Sequence, residues 1–296
     1  MTLDQLRVFI AVAERQHVTR AAEHLRISQP AVTAAIQALE GRYGVALFHR
    51  VGRRIELTEA GRSFLDEARM LVAHAGRAEL ALSELGTMTR GTLSISASQT
   101  ISSTWLPPHL ARFRKTYPGI ALKVGMGNTA EVAKAVHDGA TELGFVEGAV
   151  SDPALIAEQV ALDRLVIVVS PEHPWAAREK LDPDAMAAGD WILREPGSGT
   201  RSEFEAALPR FGLKADALRV ALELPSNEAV RRAVELGTGA TAISELAVAM
   251  SLQLGTLRQV GEAVLERPFL AIFHRDRRPS RAAGTLLALT RAGARS

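Results

Sequence analysis

Small polar side chains cluster at four points of this sequence where a strand-like run gives way to a helix-like run. The four segments are "SASQT" (96–100), "GMGNTAE" (125–131), "REPGSGTR" (194–201) and "LPSNEA" (224–229). Each offers hydroxyl or amide groups beside the free N–H groups of a helix N-terminus, as the binding of a small anion requires. Ordinary helix capping explains any one of them, because Ser, Thr and Asn are preferred caps. Four such turns around one cleft would form a binding site.

The segment "REPGSGTR" also raises the question of catalysis. No motif places a base near Ser198, Gly197-Ser198-Gly199 is not G-x-S-x-G, and no P-loop G-x-x-x-x-G-K-[ST] occurs. The two glycines instead allow backbone amides to approach a ligand closely. Arg194 and Arg201 supply positive charge there, or serve structural ion pairs.

A carboxylate complicates the prediction of an anion site. Glu147 ends the strand-like run "LGFVE", and its charge would repel an anion. Three interpretations stay open: it binds an amine or hydroxyl of the ligand, it pairs with an arginine across the cleft, or it is a solvated surface residue.

The stretch "VTRAAEHLRISQPAVTAAIQALEGRYG" (18–44) has the pattern of two helices that cross closely. Thr19 is predicted to cap the first helix and Ser28 the second, whose first turn tolerates Pro30. The predicted core residues are Ala21, Ala22, Leu25, Ile27, Val32, Ile36 and Leu39.

Gln29, Thr33 and Gln37 share the opposite face of the second helix. This arrangement is typical of a helix-turn-helix, whose second helix enters the DNA major groove by its N-terminal residues. A glutamine can bond an adenine edge, and a threonine methyl can contact a thymine methyl. Taken alone, the pair also fits a small helical domain with a solvated basic face.

A local basic cluster follows these helices. The segment "LFHRVGRRIELT" (47–58) predicts a hairpin around Gly52, a wing whose Arg53 or Arg54 could reach a phosphate or the minor groove. The net charge of the chain is only +2, from 35 basic and 33 acidic residues, so the basic signal is local. The wing and the long heptad helix that follows it together favour DNA binding over the solvated-face interpretation.

A long helix is predicted next, from a cap at Thr58 to a stop at Gly86. Its apolar residues have heptad spacing: Phe64, Ala68, Leu71, Ala75, Ala78, Leu82 and Leu85. Such a seam serves self-association or packing on the helix's own domain. Because it is rich in alanine it buries little area, so self-association would need other contacts.

After residue 90, strand-like and helix-like runs alternate, which predicts parallel α/β construction in two lobes. The predicted strands are "TLSISAS", "IALKVGM", "ELGFVE", "RLVIVVS", "DWIL", "RVALEL", "GATAIS" and "FLAIFH". Helices are predicted to begin near Thr104, Thr129, Gly199, Ser226 and Pro279. Ligands of such folds bind beyond the carboxyl ends of strands.

Composition sets limits on the class of protein. The 296 residues are 47% hydrophobic and 23% charged, which is ordinary for globular proteins and excludes disordered and fibrous classes. Cysteine is absent, so disulfides and thiolate zinc sites are excluded. The start "MTLDQLRVFIAVAERQ" lacks the features of a signal peptide, and the longest apolar run, "LVIVV", has the length of a strand. We therefore expect an intracellular protein.

The segment "FIAVAERQHVTRAAEHLRISQPAVTAAIQALEGRYGVALFHRVGRRIELTEAG" resembles the winged helix-turn-helix of LysR-type transcriptional regulators. The order of S-Q-P-A-V, L-E, L-F-x-R and L-T-x-A-G carries the resemblance, which extends along essentially the whole chain. It implies a DNA-binding domain (1–58), a linker helix for dimerisation with a hinge (59–90), and an effector domain (91–296). That last domain would have the two-lobed α/β fold of type II periplasmic binding proteins, with lobe I at 91–162 plus 268–296 and lobe II at 163–267.

The resemblance also implies roles for individual residues. Its DNA-binding residues would be Gln29, Pro30 and Thr33 at bases, Thr19, Arg50, Arg53 and Arg54 at the DNA backbone, and Gln37 on the same helix face. Ala34 departs from the family pattern, in which a basic residue often stands there. The effector cleft would be lined by Ser98, Gln99, Thr100, Thr129, Ser198, Gly199 and Thr200, with Glu147 and Asn227 as further candidates.

Such a protein would be a cytoplasmic transcription regulator without a cofactor or metal site. It would bind inverted-repeat double-stranded DNA as a homodimer or homotetramer, with RNA polymerase as a further partner. Analogy with regulators of sulfur and one-carbon assimilation favours sulfite, sulfate, a small carboxylate or a phosphate ester as its effector.

Two alternative functions remain. An NAD(P)-dependent enzyme could use Gly125-x-Gly127-x-x-Ala130, with Glu147 about 20 residues further on as the ribose-binding acid. A periplasmic solute-binding protein would share the two-lobed fold, but it would need an export signal.

Overall fold

The computed structural model describes residues 1–51, 54–84, 91–277 and 279–293. The chain forms two compact units, the first covering Met1–Leu82 and the second most of the rest. None of the helices in the described ranges combines the length and apolar character needed to cross a membrane.

The first unit consists of four helices and a hairpin. Its elements are α1 (Leu3–Arg15), α2 (Val18–Leu25), α3 (Gln29–Tyr43), β1 (Phe48–Val51), β2 (Arg54–Leu57) and α4 (Glu59–Glu84). Ser28 caps α3 as predicted, since its hydroxyl accepts a hydrogen bond from the Ala31 amide at 3.4 Å. Val32, Ile36 and Leu39 point inward and are buried against α1 and α2, also as predicted.

Two details of the first helix pair were predicted wrongly. The cap of α2 is His17, whose Nδ1 accepts from the Arg20 amide, whereas Thr19 lies inside the helix. Ile27 is 42% exposed and does not close the core. Arg26 ends α2 in the left-handed conformation (φ 56°), so the chain turns before Ile27.

The predicted wing is present as an antiparallel hairpin in which Phe48 pairs with Leu57 and Val51 with Arg54. Gly52 and Arg53, which connect the strands, lie outside the described residues. Thr58 caps α4, because its hydroxyl accepts from the Gly61 amide at 2.9 Å.

The long helix α4 uses its apolar seam in two ways. Phe64 packs against the core of the first unit and Ala68 is fully buried, so the first turns belong to the helix's own domain. Further along, Leu71 is 43% and Leu82 is 71% exposed. The predicted Leu85 and the stop at Gly86 lie outside the described residues.

The second unit is a two-lobed α/β fold. Its strands are β3 (Gly91–Ser98), β4 (Ile120–Gly127), β5 (Leu143–Glu147), β6 (Leu155–Val169), β7 (Asp190–Arg194), β8 (Arg219–Leu224), β9 (Thr241–Ser244), β10 (Arg258–Gln259) and β11 (Leu265–His274). Its helices are α5 (Leu106–Thr116), α6 (Thr129–His137), α7 (Pro183–Ala188), α8 (Gly199–Ala207), α9 (Asn227–Glu235), α10 (Glu245–Leu254) and α11 (Arg281–Gly293). A π-helical turn, Ile101–Trp105, leads into α5.

The sheet is mixed, whereas the alternation of strands and helices predicted a parallel one. Seven strands are joined in the order β10-β6-β11-β5-β3-β4, with β9 also on β6, and β7 and β8 form a separate parallel pair. β3 is parallel to β4 and β5, but β11 is antiparallel to β5 and β6. The long strands β6 and β11 extend through both lobes and pair along most of their length. Because the chain runs in opposite directions in the two strands, this pairing is antiparallel.

Most helix starts agree with prediction. α6 begins at Thr129, α8 at Gly199, and α9 directly after its cap Ser226. The helix expected near Thr104 starts earlier, with the π-helical turn, and α11 starts at Arg281 because Ser280 accepts a hydrogen bond from the Ala283 amide. Lobe II has apolar cores on both faces of its strands, around Trp191 and around Ile192.

Candidate effector site and DNA-binding surface

The centre of the candidate effector site lies where two parallel neighbouring strands end. Ser98 ends β3 and Glu147 ends β5, so the register of the strands brings their carboxyl ends together. The Ser98 hydroxyl donates a hydrogen bond to Glu147 Oε2. Glu147 is only 2% exposed, so the interpretation of it as a solvated surface residue is wrong.

The N-terminus of α8 supplies the facing side of the site. Thr200 Oγ1 donates to Glu147 Oε1 over 3.4 Å, and Thr129 Oγ1 donates to the Glu147 carbonyl at 2.7 Å. A methyl group added at Gly199 would lie 2.0 Å from that carbonyl oxygen. Only glycine therefore permits this approach of α8 to the end of β5.

A buried cation stands behind these hydroxyls. Arg267, on β11, is fully buried, and its Nη1 donates to Thr200 Oγ1 at 3.2 Å. Its Nε donates to Asp163 Oδ2 at 2.8 Å, and Ser244 donates to Asp163 Oδ1 at 2.7 Å. Arg267 Nη2 lies equally close to Oδ2 but makes no hydrogen bond to any described atom. Burial raises the pKa of Asp163, and the charge of Arg267 opposes that rise.

The two arginines of "REPGSGTR" act in ion pairs. Arg194 donates to Glu195 at 2.8 Å and to Asn227 Oδ1 at 2.6 Å. Burial alone would raise the pKa of Glu195, but hydrogen bonds from Arg194 and the backbone lower it. Arg201 pairs with Glu205 and Glu223. The positive charge deep in the site is therefore that of Arg267.

Direct hydrogen bonds join the lobes on one side of Glu147. Gln99 Nε2 donates to the Pro225 carbonyl at 2.8 Å, and Gln99 Oε1 accepts from the Asn227 amide at 3.0 Å. Asn227 Nδ2 donates to Thr100 Oγ1 at 2.9 Å. Asn227, which the sequence offered only as a further candidate, thus lies within the network.

A second set of contacts joins the lobes on the other side. Asn128 Nδ2 donates to Glu195 Oε1 at 3.3 Å, and the Ala130 amide donates to the Gly197 carbonyl at 3.2 Å. Ser198 is buried at the start of α8, but its hydroxyl does not cap the helix. The structure therefore brings together all four predicted turns and Glu147.

Sequence reasoning missed Arg267, Asp163 and Ser244. The sequence does contain a feature that could have identified Arg267 and Asp163 as buried charges. Asp163 lies in the apolar strand run "ALDRLVIVV", and Arg267 lies in "ERPFLAIF". Buried charges are paired in proteins, so an arginine in such a run has a partner nearby. The pairing of Arg267 with Asp163 depends on the register of β6 and β11 and was not readable from the sequence.

The glycines of the proposed dinucleotide turn have another role. Gly125 and Gly127 lie within β4 and pair with Ser96 and Ser98 of β3. The Glu131 side chain closes the following turn by accepting from the Asn128 amide at 2.9 Å. These glycines therefore do not form the tight turn between strand and helix that dinucleotide binding requires.

The candidate DNA-binding surface is the exposed face of α3. Gln29, Pro30, Ala34 and Gln37 are exposed and Thr33 is half-buried. Thr19 Oγ1 donates to Gln29 Oε1 at 3.3 Å, which leaves the Gln29 amino group free to turn outward. Arg50 and Arg54 lie on β1 and β2, and Arg53 is outside the described residues.

A helix-turn-helix with a wing, joined through a long helix to a two-lobed α/β domain, is the architecture of a ligand-responsive DNA-binding regulator. Comparison with protein families agrees with this class. Residues 3–62 match the model of the bacterial regulatory helix-turn-helix protein, lysR family, and residues 86–295 match that of the LysR substrate binding domain. The chain belongs to the LysR family of transcriptional regulators and carries that family's effector-binding domain.

Individual relatives extend over the same length. The chain is 36% identical to the uncharacterized HTH-type transcriptional regulator YeiE of Escherichia coli K12, over 95% of this chain and 94% of the relative. It resembles the crystal structure of CbnR, a LysR family transcriptional regulator, with a TM-score of 0.74, 22% identity and full coverage of both chains. It also resembles the regulatory domain of Synechocystis PCC6803 CcmR in complex with 2-PG, with a TM-score of 0.63 and 23% identity over 69% of this chain and 98% of that one.

Proposed function

We propose that this regulator binds DNA through α3 and the β1–β2 wing, and that a small anionic effector held between the lobes of the second unit controls its DNA binding or activation. The DNA-binding domain would comprise residues 1–58, the linker helix and hinge residues 59–90, and the effector domain residues 91–296. Paired recognition helices in a homodimer or homotetramer would read an inverted repeat. As a DNA-binding regulator it would act in the cytoplasm, without catalysing a reaction.

One observation carries the effector site: buried hydroxyls of Ser98, Thr100, Thr129 and Thr200 converge at a helix N-terminus, with the guanidinium of Arg267 behind them. Hydroxyl donors, free helix N–H groups and a buried cation together suit a small oxyanion or carboxylate. The complex of CcmR with 2-PG provides a precedent for a small ligand in a domain of this fold.

The DNA-binding surface is supported by the exposure of Gln29 and Gln37 on α3 and by the wing beside it. A structure of full-length CbnR with its target DNA, to which this chain has a TM-score of 0.71 at 23% identity, supports the same assignment. We also propose, from the family resemblance, that the DNA-bound regulator contacts RNA polymerase.

A thermal-shift screen of small oxyanions and carboxylates tests the effector site. An effector present at about 100 times its dissociation constant stabilises the folded protein by about 2.7 kcal/mol, which is readily detected. We expect one or more anions to raise the melting temperature of the wild type. Thr200→Val should lose that response, because it removes the hydroxyl that links Arg267 to Glu147.

Thr116→Val is the matched control, since Thr116 is an exposed threonine of α5 whose hydroxyl donates to the Arg112 carbonyl of its own helix. Its response to the anions should equal that of the wild type. If Thr200→Val and the wild type respond equally to every stabilising anion, the effector binds elsewhere.

A further inference from the structure

The innermost charges of the proposed effector site do not balance. Glu147 and Asp163 are buried carboxylates, and Arg267 is the buried guanidinium that contacts this group. Arg194, the other buried arginine beside the site, is paired with Glu195. Asp163 is satisfied by Arg267 and Ser244, whereas Glu147 forms no ion pair with a cation in the part of the chain that the structure describes.

The hydrogen bonds of Glu147 come from the groups that would hold an anion. Its Oε2 accepts from Ser98 and its Oε1 accepts from Thr200. A carboxylate accepts hydrogen bonds and donates none. A fully ionised oxyanion placed among the same hydroxyls would bring its oxygens, which only accept hydrogen bonds, next to the carboxylate oxygens of Glu147. Little water can screen the repulsion there.

We propose that Glu147 makes the site selective for anions that still carry an O–H group, such as a protonated oxyanion or a hydroxycarboxylate. The O–H donates to Glu147, while the charged oxygens of the ligand accept from the surrounding hydroxyls and from Arg267. This inference rests on the proposed effector site and specifies the class of ligand that the site accepts.

Matched pairs of anions separate this proposal from simple charge attraction. Phosphate and sulfate are both tetrahedral, but near neutral pH phosphate is still protonated whereas sulfate is fully ionised. Glycolate and acetate differ by one hydroxyl. Binding of each anion to the full-length protein is measured by isothermal titration calorimetry. A site built to bond a ligand hydroxyl can reject the analogue without it by several orders of magnitude.

In the wild type we expect the O–H member of one or both pairs to bind at least about a hundredfold more tightly than its partner. A preference confined to phosphate indicates a protonated oxyanion, and one confined to glycolate indicates a hydroxycarboxylate. Glu147→Gln supplies an amide donor in place of the carboxylate, so it should bind sulfate or acetate and lose the preference. Glu147→Asp, which keeps the carboxylate, should keep the preference with weaker binding.

The matched control is Glu172→Gln, at an exposed position, which should preserve both affinity and preference. Equal binding of both members of each pair by the wild type would overturn the proposal, as would an unchanged preference in Glu147→Gln. Either result leaves the effector site standing, because anions still bind. If no anion in the pairs or in the thermal-shift screen binds any variant, the proposed effector site itself fails, and the inference fails with it.

Discussion

At the scale of single residues, the helix α3 presents one amide side chain, that of Gln29, whose geometry is constrained by a neighbouring helix. Gln29 stands in the first turn, where recognition helices contact base edges. Its Oε1 accepts a hydrogen bond from Thr19 on α2, so a neighbouring helix limits the rotamers that this side chain adopts. Pre-organisation of this kind reduces the entropy lost when a base contact forms.

Gln29→Ala should weaken binding to the specific operator by about 1–3 kcal/mol, the cost of one lost base contact. Binding to unrelated DNA should change little, because phosphate contacts supply that affinity. Fluorescence anisotropy with operator and scrambled duplexes at fixed salt measures both. Gln253→Ala, at an exposed position of α10, is the control. An equal loss on both duplexes would contradict a base-reading role for Gln29.

At the scale of elements, the effector site depends on how closely α8 approaches the end of β5. A Cβ at Gly199 would lie 2.0 Å from the Glu147 carbonyl oxygen and 2.5 Å from Thr129 Oγ1. A local shift of the backbone at Gly199 would also move Thr200, which follows it in α8, relative to Glu147 at the end of β5. Any added side chain must therefore separate the two elements.

Gly199→Ala should destabilise the second unit by about 1–3 kcal/mol, the usual cost of overpacking, and abolish the thermal response to any anion that stabilises the wild type. Differential scanning calorimetry measures both effects. Gly284→Ala in α11, where an added Cβ meets nothing within 4 Å, should be neutral or stabilising, since alanine favours a helix. A Gly199→Ala variant with wild-type melting and anion response would disprove the constraint.

At the scale of the whole molecule, α4 offers an apolar surface for self-association. Its first turns are used by the core of the first unit through Phe64 and Ala68, but Leu71 and Leu82 remain exposed. Burial of one leucine side chain contributes about 1.5–3 kcal/mol. Exposed leucines that continue the spacing of the heptad seam favour pairing with a second copy of the chain.

The double variant Leu71→Glu, Leu82→Glu should raise the dissociation constant of the oligomer by more than about tenfold. Sedimentation-velocity ultracentrifugation over a range of concentrations measures the change, and operator affinity should fall with it. Ser63→Glu places a new charge on an exposed position of α4 outside the seam and serves as the control. Identical sedimentation of all three proteins would show that α4 does not mediate association.

Local sequence rules accounted for most elements of both units. Ser28, Thr58 and Ser226 cap helices where the pattern of Ser and Thr predicted, because capping involves only neighbouring residues. The predicted cap at Thr19 was an exception, since His17 caps α2. Two predictions that depended on non-local contacts also failed. Ile27 followed the apolar pattern but is exposed, and the sheet is mixed because β6 and β11 return antiparallel across both lobes.

The sequence by itself determined the winged helix-turn-helix, the two-lobed domain and the polar turns that meet at the effector site. Those features depend on periodicity, capping and motif order, which are local properties of the chain. Only the tertiary structure decided which charges face the site. It paired Arg194 with Glu195 and Arg201 with Glu205 and Glu223, and it buried Arg267 beside Asp163 at the centre. The strand register that sets Arg267 opposite Asp163 joins residues 104 positions apart in the chain, and no local pattern encodes that distance.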